Sequence, residues 1–280
     1  AGSYLITGFV SGQGAYITQT SAIYNSADVA SATTVATTLS NSSYVPTGST
    51  NLSNYSLPLS ISGSGSITPA TLTMTANAAA KFIGQADPAF TYTLAGLKGA
   101  DTSSVLINPA VTRPAGNVAG ATYTLTPTAT AANYTITPVT ATFTIIAQGQ
   151  LLLTVNNTQT AYGTLRASNI ASAVAVTASY CTIGSDCSAP FIVNLTVAPG
   201  PSANTWIATD DKVGAAQGNY TLTVTPPALS AANSSTSGFL KVANYTFTPS
   251  TTVVTNAGYS TNYATSFPVL SVPGTISITP

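Results

Sequence analysis

The chain has 280 residues, of which six are Lys or Arg, six are Asp, and none is Glu or His. A chain of this length ordinarily carries about 70 charged side chains, and the shortage excludes histidine bases, His-ligated metals and paired-Glu acid/base sites. The balanced charge also removes the basic field that nucleic acid or an anionic membrane would require.

Hydroxyls stand where charges would: 49 Thr and 32 Ser, with 14 Tyr. Hydrophobic residues make up 44%, enough for a buried core, unlike disordered Ser/Thr tracts. Thr, Val, Ile and Tyr are strand formers. In chain order, 1–69 opens at Ala1-Gly2-Ser3-Tyr4 without an initiator Met or a signal-peptide n-region, and so reads as part of a mature or fragmentary chain. It closes on Asn54-Tyr55-Ser56 and Thr68-Pro69. The second segment, 70–147, alternates Thr with Leu and Met over 71–75, and has further alternating runs at 123–126 and 141–146. The third, 148–280, repeats the second: 72–77 and 151–156 each end in Asn with a Gly seven residues later, Gly84 and Gly163, at an offset of 79. Asn-Tyr-Thr recurs at Asn133-Tyr134-Thr135, Asn219-Tyr220-Thr221 and Asn244-Tyr245-Thr246, before a closing run at 275–279. In these strings the Tyr ring is expected to pack inside, with its hydroxyl on backbone. Period-two alternation bounded by Gly, Pro, Asn and Ser reads as antiparallel strands with one buried face. Repetition at this period reads as tandem domains. The expectation is therefore an all-β chain of small antiparallel sandwich-like domains in an elongated array, the third with insertions at about 176–212, 226–240 and 251–273. No run of 18 apolar residues predicts a membrane span.

The second segment carries a resemblance. Leu72-Thr73-Met74-Thr75-Ala76-Asn77, Lys81-Phe82-Ile83-Gly84, Asp87-Pro88-Ala89-Phe90-Thr91-Tyr92 and Leu94-Ala95-Gly96-Leu97 resemble the opening of an MBG repeat domain. The stretches 120–126 and 132–138 resemble its closing half, and Tyr162-Gly163 in the third segment resembles the family's Tyr-Gly element. The first segment is similar to the related YDG repeat but lacks its opening Tyr-Asp-Gly strand. The resemblance implies tandem repeats of large exported bacterial surface proteins, among them filamentous-haemagglutinin-like adhesins. It implies no catalytic residues.

Cys181 and Cys187 flank Thr-Ile-Gly-Ser-Asp. A Gly and an Asp between them allow a tight turn, so a disulfide closing a small loop is geometrically easy, with two free buried thiols as the alternative. Two thiols without His are too few for a metal site, and a catalytic thiol would lack a base. A disulfide would place the chain in an oxidising, extracellular setting. The acids are Asp28, Asp87, Asp101, Asp186, Asp210 and Asp211. Only Asp210 and Asp211 adjoin, and neighbouring strand residues point to opposite faces. Asp87 and Asp101 read as turn residues. Nine Asn-x-Ser/Thr sequons occur, as a chain this rich in Asn, Ser and Thr generates them by chance. Among the aromatics, Tyr259, Tyr263 and Trp206 are the candidate surface contacts.

An uncharged β surface lacks the Lys and Glu that normally guard strand edges, so copies are expected to associate. The leading expectation is a non-enzymatic stalk or fibre segment of a secreted surface adhesin, without cofactor. Either the chain begins inside a domain, or a neighbouring chain's strand would complete the first segment, in the manner of strand addition. The alternative is a module binding a host, cell-surface or matrix glycan through the insertions of the third segment. An extracellular carbohydrate-active enzyme is a third, weaker reading.

Overall fold

A computed structural model describes residues 6–202, 204–210, 218–252 and 269–279. The chain is all-β, with short 3-10 turns between strands, and among the described residues no helix is long and apolar enough to cross a membrane. It divides into two compact units, 1–70 with 131–135, and 71–130 with 136–280.

In the first unit Gly14–Ile17 pairs antiparallel with Tyr44–Thr47. A three-stranded antiparallel sheet runs in the order Ile23–Tyr24, Thr34–Thr38, Ser60–Ser64. Its buried residues, among those described, are Ala32, Leu39, Tyr44, Thr50 and Tyr134. Polar side chains do much of the fastening. The Tyr44 hydroxyl donates to Pro58 O at 2.6 Å, and Tyr55 donates to Gln13 Oε1 at 2.6 Å while its ring lies 4.6 Å from Phe9. Thr50 Oγ1 donates to Thr47 O and accepts from Gly14 N, tying together the ends of the first strand pair. Asn133 donates through Nδ2 to Asp28 Oδ1 (2.8 Å) and accepts from Val29 N (3.0 Å).

The second unit contains two sandwiches built on the repeat seen in the sequence. In the first, one sheet runs Ala79–Phe82, Ala141–Ile146, Thr122–Thr130, Ile107–Thr112, and the other Tyr134–Val139, Ala70–Ala76, Tyr92–Ala95. Ala76, Leu125, Phe143 and Ile145 fill the space between them. In the second, a six-stranded sheet runs Thr158–Ala161, Gly274–Thr279, Ala243–Thr252, Gly218–Thr225, Thr205–Asp210, Thr196–Pro199. Its partner sheet runs Ile192–Asn194, Val176–Cys181, Leu151–Val155, Val269–Val272. Leu151, Leu153, Val155, Tyr180, Leu222, Phe247 and Ile276 are at most 2% exposed in the shared core.

Alternation decides these strands: buried and half-exposed residues take turns through Leu151–Val155 and Gly274–Thr279, with Thr or Ser on the outer positions of the latter. The repeat extends to the turns. Gly84 and Gly163 sit at φ +85° and +88°, each in a four-residue turn closed by Gln85 N to Phe82 O or Thr164 N to Ala161 O. Only Gly takes that conformation without strain. Most pairings are antiparallel as expected, and the parallel pairs include Ala79–Phe82 with Ala141–Ile146, Thr158–Ala161 with Gly274–Thr279, and Leu151–Val155 with Val269–Val272.

The stretch 176–210, read from sequence as part of an insertion, supplies strands to both sheets and the buried residues Val176, Ala178, Tyr180, Leu195 and Ala208. The connector at 226–240 covers the core with Leu240, which is fully buried. Of 251–273, residues 253–268 lie outside the described residues.

Candidate functional site

Three features of the second unit concentrate its chemistry. The first is a charge cluster. Asp87 receives two hydrogen bonds from Arg113, Nε to Oδ2 at 2.7 Å and Nη2 to Oδ1 at 2.8 Å, and a third contact from Lys81 Nζ at 2.8 Å. The two cations are nearly buried while the carboxylate is about one-third exposed. The Arg113 guanidinium lies 4.8 Å from the Phe143 ring and 5.0 Å from Tyr123, and its Nη1 donates to Pro114 O and Gly116 O. Lys81 Nζ donates to Gln85 O. The hydrogen bonds from Arg113, then Lys81, hold the Asp87 carboxyl down to about 2. A carboxylate held so firmly ionised between two cations is a poor general acid or base. Sequence reasoning took Asp87 for a turn residue. The available signal was that five of only twelve charges, these three among them, fall within 81–113.

The second feature is the joint between the sandwiches. Cys181 and Cys187 form a disulfide with Cα atoms 5.4 Å apart. Both are fully buried, against Phe82 and Ile146 of the preceding sandwich, with Ile83, Leu152 and Ile192 at the margin. The loop they close is gripped from the linker: Gln148 donates through Nε2 to Ser185 O and accepts from Gly184 N, and Gly149 N donates to Cys181 O. A Cβ at Gly84 would collide with Asp186 O, so this turn admits the loop only because it is glycine. The cystine itself therefore lies in an inter-sandwich contact surface, while Ile183, Gly184 and Asp186 of the loop it closes stay exposed.

The third is a cleft of about 1500 Å³ lined from both sandwiches. Its walls include Asn77, Thr91–94 and Ala95 on one side and 154–161, Asn244 and Ser277 on the other. Among the described residues, none that lines it is charged. Asn77 is 8% exposed, and its Nδ2 donates to Thr91 Oγ1 at 2.8 Å. Asn244 Nδ2 reaches Leu94 O at 3.3 Å, and Asn157 Oδ1 accepts from Thr275 N.

The sequence-derived candidates fall elsewhere. Trp206 is half-buried and packs against the core of the second sandwich. Tyr259, Tyr263 and Asp211 lie outside the described residues, and Asp210 is placed only as the end of a strand. Tyr245 is buried with its hydroxyl donating to Asn233 O and Lys241 O, as expected for the Asn-Tyr-Thr strings. Tyr55 instead donates to a side chain. Among the described residues no three His, Cys, Asp or Glu side chains group as metal ligands.

Comparison with curated proteins gives no match. The family match falls on the first sandwich of the second unit, where sequence resemblance placed it: residues 72–144 match the MBG domain of the YGX type.

Proposed function

We propose that this chain is a non-catalytic structural segment, a stalk or fibre module, of an extracellular surface protein, and that its copies associate through uncharged strand surfaces. MBG domains occur in surface proteins. The observation that carries the reading is the joint: the MBG sandwich continues into a second sandwich through a linker clasped by a buried cystine loop. Covalent closure of that loop suits an oxidising, extracellular location and a module that passes force to its neighbour. The ion cluster at Asp87 ties the sandwich together rather than serving a substrate.

Electron microscopy and sedimentation of the purified chain test this. The expected result is filaments or oligomers that grow with concentration and are indifferent to salt, because no charge pairing would drive them. Dispersed monomers at all concentrations, or assembly abolished by salt, would contradict it.

A further inference from the structure

The outer strands of the second unit are not equally protected. Ile107–Thr112 carries Pro109 with Asn108 at φ +50°, Tyr134–Val139 carries Pro138, and Thr196–Pro199 ends in proline. Proline removes a ladder donor, and an irregular backbone disrupts pairing, which is how natural sheets blunt their edges. Ala79–Phe82 carries the charged Lys81. Four outer strands, Ile192–Asn194, Val269–Val272, Tyr92–Ala95 and Thr158–Ala161, contain neither proline nor charge, and among the described residues the last two line the same cleft along their whole length.

Their backbone groups are open. Thr91 O accepts from Asn77 N, so pleating turns Tyr92 and Leu94 away from their own sheet. Among the described residues Leu94 O meets only the Asn244 side chain there. Likewise Tyr162 N donates to Thr279 O, which by alternation leaves the N–H and C=O of Gln159 and the N–H of Ala161 on the free side, the Ala161 carbonyl being taken by Thr164 N. Each edge is four residues long, about 13 Å of extended chain. Asn77, more than nine-tenths buried in the cleft wall, donates through Nδ2 but accepts nothing at Oδ1 among the described residues. An unsatisfied buried acceptor is costly and signals an absent donor.

We infer that this cleft is an acceptor groove for an extended strand from a second copy of this chain, which adds to the edges Tyr92–Ala95 and Thr158–Ala161. The inference rests on the self-associating reading above and gives it a site. The occupant follows from charge. A wall without a charged residue offers no partner to a charged peptide, and burying an unpaired charge there would be penalised. This chain's own strands, uncharged and rich in Thr, meet no such penalty. A concave acceptor on one copy and a strand on another make a head-to-tail contact, which generates filaments when it does not close.

The test uses the full chain and the double variant Gln159→Lys with Ala161→Lys, whose charges sit on the exposed side of one edge. Thermal unfolding establishes that the variant is folded, and amide exchange is read at Tyr92, Leu94, Gln159 and Ala161. Assembly should weaken at least about tenfold in the variant, and the four amides of the parent chain should slow at least about tenfold on assembly. Parent assembly that the variant matches, with the four amides unprotected, overturns the groove while leaving the fibre reading intact. A parent chain that stays monomeric up to about millimolar concentration overturns both, since even the weakest specific contacts register there. The same amides shifting on titration with neutral oligosaccharides, without assembly, would assign the cleft to a glycan and overturn the proposal as well.

Discussion

The two units solve the same problem, a β fold almost without charge, by different means. In the second, side chains from paired sheets interdigitate, and residues such as Leu72, Leu125, Phe143, Leu153 and Leu222 are completely buried. In the first, strands are short, Ile23 is 80% exposed and Leu59 63% exposed, and hydrogen bonds from Tyr44, Thr50, Tyr55 and Asn133 hold the loops. Buried apolar surface stabilises in proportion to area, whereas each hydrogen bond exchanged with water adds only about 1 kcal/mol. The contrast teaches that Thr-rich sequence is compatible with either regime. Which one results depends on whether the alternation places Leu, Ile and Phe on the inner positions.

Core truncation should separate the units most sharply. Leu153→Ala is expected to cost about 4 kcal/mol, because the fully enclosed site cannot collapse. Leu39→Ala, in the thin core of the first unit, should cost about 2 kcal/mol, the lower end of the range for such truncations. Trp206 is the sole tryptophan and lies in the second unit, so its fluorescence in urea reports that unit alone. The first variant should move the tryptophan transition and the second should leave it in place.

Asp87→Ala comes next, at about 3 kcal/mol, because it leaves Lys81 and Arg113 nearly buried and unpaired. The wild-type chain should show a related acid effect. Hydrogen bonds from Arg113 and Lys81 hold the folded carboxyl at about 2, below its ordinary value of 3.8. Its stabilising contribution is therefore complete above the unfolded value and lost as pH falls from about 4 towards 2, a change of about 1 kcal/mol after solvent screening. Tryptophan-detected melting across that range should show the loss, and Asp87→Ala should abolish it. A smaller step, about 2 kcal/mol, is expected from Cys181→Ser with Cys187→Ser, the loop being short. Because the sulfurs pack on Phe82 and Ile146, protease nicking at 147–150 should also quicken in that variant.

The strands of the second unit were largely legible in the sequence, since Leu151–Val155 and Gly274–Thr279 display their buried face as period two. Gly84 and Gly163 declared their turns through the shared offset. The parallel pairings were not legible, because alternation is the same whichever direction a neighbour runs. The strands within 176–210 were obscured by their brevity and by the Pro, Ser and Cys around them. Asp87 gathers cations from six residues before it and 26 after it, a convergence that spacing along one strand does not encode. The acceptor cleft belongs to the same class: it arises where two edges 66 residues apart in the chain line one space, Tyr92 and Thr158 being the first residue of each.

The smallest effect probes the hydrogen-bonded regime directly. Tyr44 is buried, burial pushes its phenol above the ordinary value, and its hydroxyl donates to Pro58 O. Tyr44→Phe keeps the ring and removes that bond. Because Pro58 is exposed, water can take up its carbonyl, and the cost should be about 1 kcal/mol. A phenol whose folded value is raised contributes stability that is complete below the unfolded value of about 10 and lost as pH rises through the folded one. The first unit of the wild-type chain should therefore weaken above pH about 10, and the Phe variant should lack that component. Circular dichroism melts that leave the tryptophan transition unmoved would place the difference in the first unit. A cost well above 2 kcal/mol would mean that the Tyr44 ring, rather than its hydroxyl, had been displaced, and that packing governs this unit too.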